Sequence, residues 1–267
     1  MHPRIVGIVN LSGDSFSDGG RLTGASAAVA HALTLVADGA ALIDLGPAAS
    51  NPDAVPVSAA EEIRRLDPVL DELLARNVPV SVDSWQIETQ RHALARGVAC
   101  LNDIRGFPEP SLYEELARAS CRLVVMHAVQ RGPTATRAIV DPHGLVERVA
   151  RFLAERVGAL ASAGVSRDRI ILDPGMGYFL GGAAEASLAV LRALGELKAR
   201  FGLPVWISVS RKSFLGTLTG RQATERGAAT LAAELWAVAR GVDYVRTHDV
   251  RALCDAIAVV RALEGGP

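Results

Sequence analysis

The sequence predicts an α/β fold: a single (β/α)8 TIM barrel with long βα loops at its C-terminal face, spanning residues 1–267 as one domain. Two observations lead to it. Eight short apolar segments recur along the chain with Ala- and Leu-rich stretches between them, and each segment runs into Asn, Asp, Ser, Arg or His at its carboxyl end. Such an alternation, with hydrogen-bonding side chains gathered on one rim, is the pattern of a barrel enzyme. The length of 267 residues agrees, since one such barrel takes ~250 residues and no composition shift or linker divides the chain.

The strand segments are RIVGIVN to Asn10, ALIDLG through Asp44, PVSVDS to Asp83, ACLNDI through Asn102, RLVVMH to His127, RIILDPG through Asp173, VWISVSRK to Lys212 and DYVRTH to His248. Helices are expected over 25–38, 58–76, 86–96, 110–119, 144–163, 185–201, 225–240 and 250–264. Ser58 and Glu61 have the spacing of a capping box, which marks a helix start. Gly39, Gly97, Gly202 and Gly241 stand where a helix hands over to a strand, and glycine tolerates the left-handed backbone needed there. The connections after strands one, two and six are long and rich in Gly and Pro, and long rim loops usually carry function.

Composition narrows the function classes. A hydrophobic content of 49% supplies a core for strands buried on both faces. The net charge of −1, without a basic block, argues against nucleic-acid binding. No apolar run approaches the ~20 residues that span a bilayer, and no charged leader precedes the strand at Arg4. Cys100, Cys121 and Cys254 lack metal or redox spacing and read as buried reduced thiols, so a reducing cytoplasm is expected.

The rim residues suggest the chemistry. Asp83, Asn102 and Asp173 close strands three, four and six; a carboxylate accepts two parallel N–H bonds while Asn both donates and accepts, which suits the amino-amide edge of a pterin or guanine-like ring. Asp83 could instead cap the following helix. Ser210, Arg211, Lys212, Arg246 and His248 gather cationic groups at the ends of strands seven and eight, where barrels often hold phosphate. His127 is as much a structural as a catalytic candidate, and His2, His31, His92 and His143 look like surface residues without partners. Phe16, Trp85, Phe107, Tyr178, Phe179 and Phe214 fall just beyond strand ends, either plugging loops or facing a flat ligand. Neither a G-x-S-x-G elbow nor a Cys paired with His supports a covalent nucleophile. HExxH and acidic clusters are also missing, so any Mg²⁺ would be held by one side chain and substrate phosphates.

At these residues the chain resembles dihydropteroate synthase. GIVNLSGDSFSDGGR is similar to that family's first signature and IDLGPAASNP occupies its second, followed in order by NDIRGF, LDPGMG, SVSRKSFLG and VRTHDV. The resemblance implies condensation of dihydropterin pyrophosphate with p-aminobenzoate, releasing pyrophosphate. It assigns Asp83, Asn102, Met126, Asp173, Lys212 and Tyr178 to the pterin, with Asp83, Asp173 and Lys212 catalytic. Asn10, Ser50, Arg246 and His248 would bind diphosphate, Asn10 also touching Mg²⁺. Phe16, Ser50, Pro52, Phe179, Ser210, Arg211 and Lys212 would surround p-aminobenzoate. A homodimer through the outer helices is implied, with neither nucleic-acid nor membrane partners.

Three departures from the usual signatures concentrate around p-aminobenzoate. The second signature, usually Glu-Ser-Thr-Arg-Pro, reads Ala48-Ala49-Ser50-Asn51-Pro52; Gly177-Tyr178-Phe179-Leu180 replaces Gly-Phe-Gly-Lys; Gly13 replaces Pro. These departures, with CRLVVMH and ATLAAEL, resemble the sulfonamide-resistance synthases, implying an arylamine pocket narrowed by Phe179. Competing expectations are a methyltetrahydrofolate-binding methyltransferase domain and a non-catalytic pterin-binding paralogue.

Overall fold

Alternation with a period of two sorts the strand side chains between two environments, an outer one against helices and an inner one facing the barrel axis. The computed structural model describes residues 3–11, 21–130, 132 and 134–265. Its strands are β1 Arg4–Asn10, β2 Leu42–Gly46, β3 Val80–Asp83, β4 Cys100–Asp103, β5 Arg122–Met126, β6 Ile170–Asp173, β7 Trp206–Ile207 and β8 Tyr244–Thr247. They form one parallel sheet in the order β6-β5-β4-β3-β2-β1-β8-β7. A bridge between Leu172 and Val205 then closes the ring between β6 and β7.

The helices are α1 Arg21–Ala37, α2 Ala59–Ala75, α3 Ile87–Ala95, α4 Tyr113–Arg118, α5 Leu145–Ser162, α6 Ala184–Arg192, α7 Leu194–Phe201, α8 Ser213–Thr219, α9 Gly227–Val238 and α10 Val250–Leu263. Their buried positions follow helical spacing, as in α2 at Leu66, Val69, Leu70 and Leu73. These stripes pack on outward strand residues such as Val9, Ile43, Val82, Leu101, Val125 and Leu172 in one continuous core. The inward residues Val6, Leu42, Cys100, Val124, Ile171, Trp206 and Tyr244 form a separate apolar layer inside the barrel.

The expected capping box is half present. Ser58 Oγ accepts the Glu61 N–H at 3.2 Å, but the Glu61 carboxylate turns to Arg64 and Arg65 instead of reaching back. The four handover glycines do adopt positive φ.

Three stretches differ from expectation. The helix expected over 185–201 breaks at Ala193, which ends α6 and begins α7. Strand seven keeps only Trp206 and Ile207, because Ser208 and Ser210 leave the ladder and Arg211 takes a left-handed φ of 59°. Helix α8 then follows at once, in the connection between the expected strand to Lys212 and the expected helix over 225–240. Among the described residues no helix is long and apolar enough to cross a membrane.

Candidate active site

Where the inward apolar layer stops, the next inward positions on the same strands are mostly polar. Ile8 and Asn10 of β1, Asp83 of β3, Asn102 of β4, Met126 of β5 and Asp173 of β6 line one cavity of about 260 Å³. Ser208, Ser210, Lys212, Arg246 and His248 close it from the β7 and β8 side, and Ala48 to Asn51 and Phe179 from the loops above. The acidic and amide groups of β3, β4 and β6 thus face a cationic corner across one space.

Arg246 ties the two halves together. Its Nε donates to Asp44 Oδ2 at 2.5 Å and its Nη2 to Asp83 Oδ2 at 3.2 Å. Nη1 has no partner among the described residues, leaving both of its N–H groups for an incoming anion. Asp83 does not cap α3, whose first turn has no side-chain cap. Asp173 Oδ1 accepts the Gly175 N–H at 2.7 Å, keeping Oδ2 for a ligand. Gly175 has a φ of 77°, and a Cβ there would stand 2.2 Å from the His127 carbonyl oxygen, so only glycine allows this turn. Asn102 Oδ1, Asp44 Oδ1 and Ser208 Oγ are buried without partners among the described residues. Unmatched polar atoms of this kind mark places where a ligand completes the bonding.

Burial governs the protonation of the site. It pushes Asp83 up to about 7, the like charge of Asp44 adding and Arg246 and Lys212 opposing. It pushes Asp173 up to about 6 against the Gly175 N–H, Lys212 and Arg246. Lys212 is lowered to about 8, chiefly by burial and then by Arg246, with both carboxylates resisting. His248 is held down to about 3 by burial and by Arg211, Arg246 and Lys212, so it is neutral. Its backbone N–H donates to Ser210 Oγ at 3.3 Å, and Ser210 Oγ lies 2.8 Å from Nδ1. A hydroxyl proton directed at Nδ1 assigns the ring hydrogen to Nε2.

A polar lattice missed by sequence reasoning stiffens the loops behind Asp83 and Asn102. Ser84 Oγ and Thr89 Oγ1 donate to the buried Glu62 carboxylate at 2.5 and 2.7 Å. Gln90 Nε2 donates to the Ser84 carbonyl at 2.8 Å and to Asp103 Oδ2 at 3.0 Å, bridging the residues that directly follow the two site residues. Asp44 was missed as well, although its segment was recognised as a strand.

Several expected contacts lie elsewhere. Tyr178 is half-buried outside the cavity lining, with the Arg137 guanidinium 5.5 Å from its ring. The 3-10 turn at Gly177–Phe179 sends Phe179 inward and Tyr178 out. Lys212 Nζ sits 4.8 Å from the Phe179 ring centre. Arg211 is exposed, because its left-handed backbone turns the side chain out while its carbonyl accepts from Arg226 at 2.8 Å. Pro52 lies beyond the cavity lining, which the loop supplies from Ala48 to Asn51. Phe16 lies outside the described residues.

His127 does not line the cavity; it meets Phe152 edge-on at 5.2 Å and is lowered to about 4 by burial, a structural role. His92 is not partnerless, since its Nε2 lies 2.6 Å from Asp67. Among the described residues no group of three or more His, Cys, Asp or Glu could cage a metal. Asn10 offers a single neutral oxygen, a donor set that fits only a hard cation arriving with phosphate oxygens.

Residues 6–248 match the family model described as pterin binding enzyme. The chain is 56% identical to a type-2 dihydropteroate synthase of Escherichia coli over 97% of this chain and 96% of that protein. It is 51% identical to a type-1 enzyme of the same species, over 97% and 93%. Among solved structures it is similar to a Xanthomonas albilineans dihydropteroate synthase holding 4-aminobenzoic acid (TM-score 0.88, 38% identity, 99% and 94% covered). The same holds for that species' synthase with 7,8-dihydropteroate (TM-score 0.83, 34% identity, 99% and 94% covered).

Proposed function

The chain belongs to the pterin-binding enzyme family and, within it, to the dihydropteroate synthases, and from that premise we propose how its cavity performs the condensation. Asp173 and Asn102, with Asp83, hold the amino-amide edge of the pterin, whose N–H groups fill the unmatched acceptors. Met126 packs on the ring face and Lys212 reaches a ring heteroatom. The burial that raises both carboxylates makes the site selective, since a ring without donors leaves them unpaired.

The observation that supports this reading best is the opposition of charge across one cavity. Electrons leave the pterin carbon with the diphosphate as the C–O bond breaks, so positive charge grows toward Asp83 and Asp173 and negative charge toward Arg246 Nη1, His248 Nε2–H, Ser50 and Asn10. Preorganised dipoles aimed at both charges favour dissociation before attack. Magnesium held by Asn10 and the substrate's own phosphates would neutralise the leaving group. The weakly basic arylamine needs placement beside the cation more than proton abstraction.

Phe179, pressed between Lys212 and the loop wall, sets the width of the arylamine mouth. The carboxylate of p-aminobenzoate passes it; a sulfonyl carrying a second ring meets it, which makes the enzyme insensitive to sulfonamides. The outer strip carrying exposed Trp236, Val259 and Leu263 on α9 and α10 suits a homodimer contact. The three free cysteines accord with the cytoplasm. Pyrophosphate release, followed with and without sulfamethoxazole at matched p-aminobenzoate, tests the whole. Release that requires p-aminobenzoate and resists the drug is expected; no release would leave a pterin-binding scaffold. Phe179→Leu should restore inhibition more than it lowers turnover.

A further inference from the structure

The mouth that Phe179 narrows is built from behind by the connection between β5 and α5, a segment to which neither signature nor charge pattern pointed. Ala135 N–H donates to the Ser50 carbonyl at 2.8 Å, and Thr136 and Val129 N–H donate to the Tyr178 and Phe179 carbonyls at 3.1 and 2.9 Å. Gly182 N–H returns a bond to the Ala138 carbonyl at 2.8 Å. Two rim loops carrying the mouth residues Ser50 and Phe179 are thus sewn to one strip of backbone.

Arg137 sits at the middle of the seam. Its Nη1 donates to Asp53 Oδ1 at 2.7 Å and its Nη2 to Asp53 Oδ2, a two-pronged grip on the β2–α2 loop. The same guanidinium lies over the Tyr178 ring of the β6–α6 loop. A Cβ at Gly182 would stand 2.4 Å from the Arg137 carbonyl oxygen, so the two backbones meet as closely as glycine allows. Ala135 joins Ile104, Met126 and Phe179 in a small apolar cluster beneath the mouth.

We propose that Arg137 is a specificity-determining positioning residue: with Asp53, Tyr178 and the Gly182 contact it forms a clasp that fixes the gap between Ser50 and Phe179 and admits p-aminobenzoate over bulkier arylamines. The inference rests on Phe179 acting as the gate and supplies what holds the gate still. An exposed ion pair contributes little to global stability, so the clasp acts on loop position. Small displacements suffice, because the two ligands differ only beyond the arylamine ring.

The experiment compares wild type, Arg137→Ala, Asp53→Ala, their double variant and Gly182→Ala. It measures kcat, KM for p-aminobenzoate, Ki for sulfamethoxazole, and hydrogen exchange in peptides covering 47–57 and 174–183. Arg137→Ala should lower Ki about tenfold, at kcat within about twofold and KM within about threefold, and should speed exchange in both peptides. Asp53→Ala should add little to it, as members of one unit do, and Gly182→Ala should reproduce the loss of selectivity from the other side of the seam. A wild-type Ki equal to that of a drug-sensitive synthase measured in parallel overturns the Phe179 gate itself. A high wild-type Ki that stays within about twofold in Arg137→Ala and Gly182→Ala, with exchange unaltered, overturns the clasp and leaves the gate standing.

Discussion

The lower and upper halves of the barrel interior come from the same eight strands yet have opposite chemistry. Below, Val6, Leu42, Cys100, Val124 and Ile171 surround Trp206 and Tyr244, whose rings stack at 5.6 Å between centres. Two residues further along, the inward positions become Ile8, Asp44, Asn102, Met126, Asp173, Ser208 and Arg246. One period of the ladder separates a layer that lowers the free energy of the fold from one that raises it. The upward shifts of Asp83 and Asp173 measure that burden: the folded chain resists ionising them. The lower layer offsets what the upper layer needs in order to recognise a ring rich in N–H donors.

Asp173→Asn separates the two halves most sharply. The variant keeps an oxygen for the Gly175 N–H and loses the second acceptor for ring donors. A drop in kcat/KM of about a thousandfold, roughly 4 kcal/mol, is expected. Stability should move the other way. The folded-state pKa of about 6 exceeds the ordinary 3.8, so the penalty of the buried carboxylate builds as pH rises through that window and is complete above it. Asn removes it, so melting temperature should rise more at pH 8 than at pH 5. A fall at pH 8 would break the comparison.

Trp206→Ala probes the lower half. It empties a fully buried site, costing about 3–4 kcal/mol and roughly 10 °C in melting temperature. Turnover by the protein that remains folded should stay within about threefold. A loss matching that of Asp173→Asn would mean that the two layers do not act separately.

The pH profile sharpens the upper layer internally. In the free enzyme kcat/KM should fall on the acid side near 7 and 6, as Asp83 and Asp173 gain protons, and on the alkaline side near 8, as Lys212 loses one. Asp44→Asn removes a like charge beside Asp83 and frees Arg246 to pair with it fully. Both effects lower the Asp83 pKa, so the acid limb should move down by about one unit, near 1.4 kcal/mol. An unmoved limb would detach Asp83 from the titration.

The contrast between the layers was readable only in part from the chain. Asp83, Asn102, Asp173, Lys212 and His248 stood out because each ends an apolar run, where alternation leaves little choice of direction. Asp44 carries the same pattern, but its role depends on an arginine 202 residues away, a distance no local spacing encodes. Tyr178 and Phe179 are neighbours of similar chemistry, and only the 3-10 turn decides which faces the cavity. Arg211 was misplaced because a left-handed residue between Ser210 and Lys212 inverts the expected direction. The seam between Ala135 and Ala138 has no side-chain signature, because its bonds are made by backbone atoms.

Ser208→Ala gives the smallest effect and the finest test of the boundary between layers. Its hydroxyl is buried in the cavity wall with no partner among the described residues. An unmatched buried hydroxyl weighs against the fold, and its removal should raise stability by about 0.5–1 kcal/mol. That is a gain of about 2 °C or a little more. If the same hydroxyl bonds the pterin, KM for that substrate should rise about threefold to tenfold, in line with one ordinary hydrogen bond. Opposite signs in the two measurements would place Ser208 with the upper layer. A loss of stability with unchanged KM would place it with Trp206 and move the boundary up by one residue on the seventh strand.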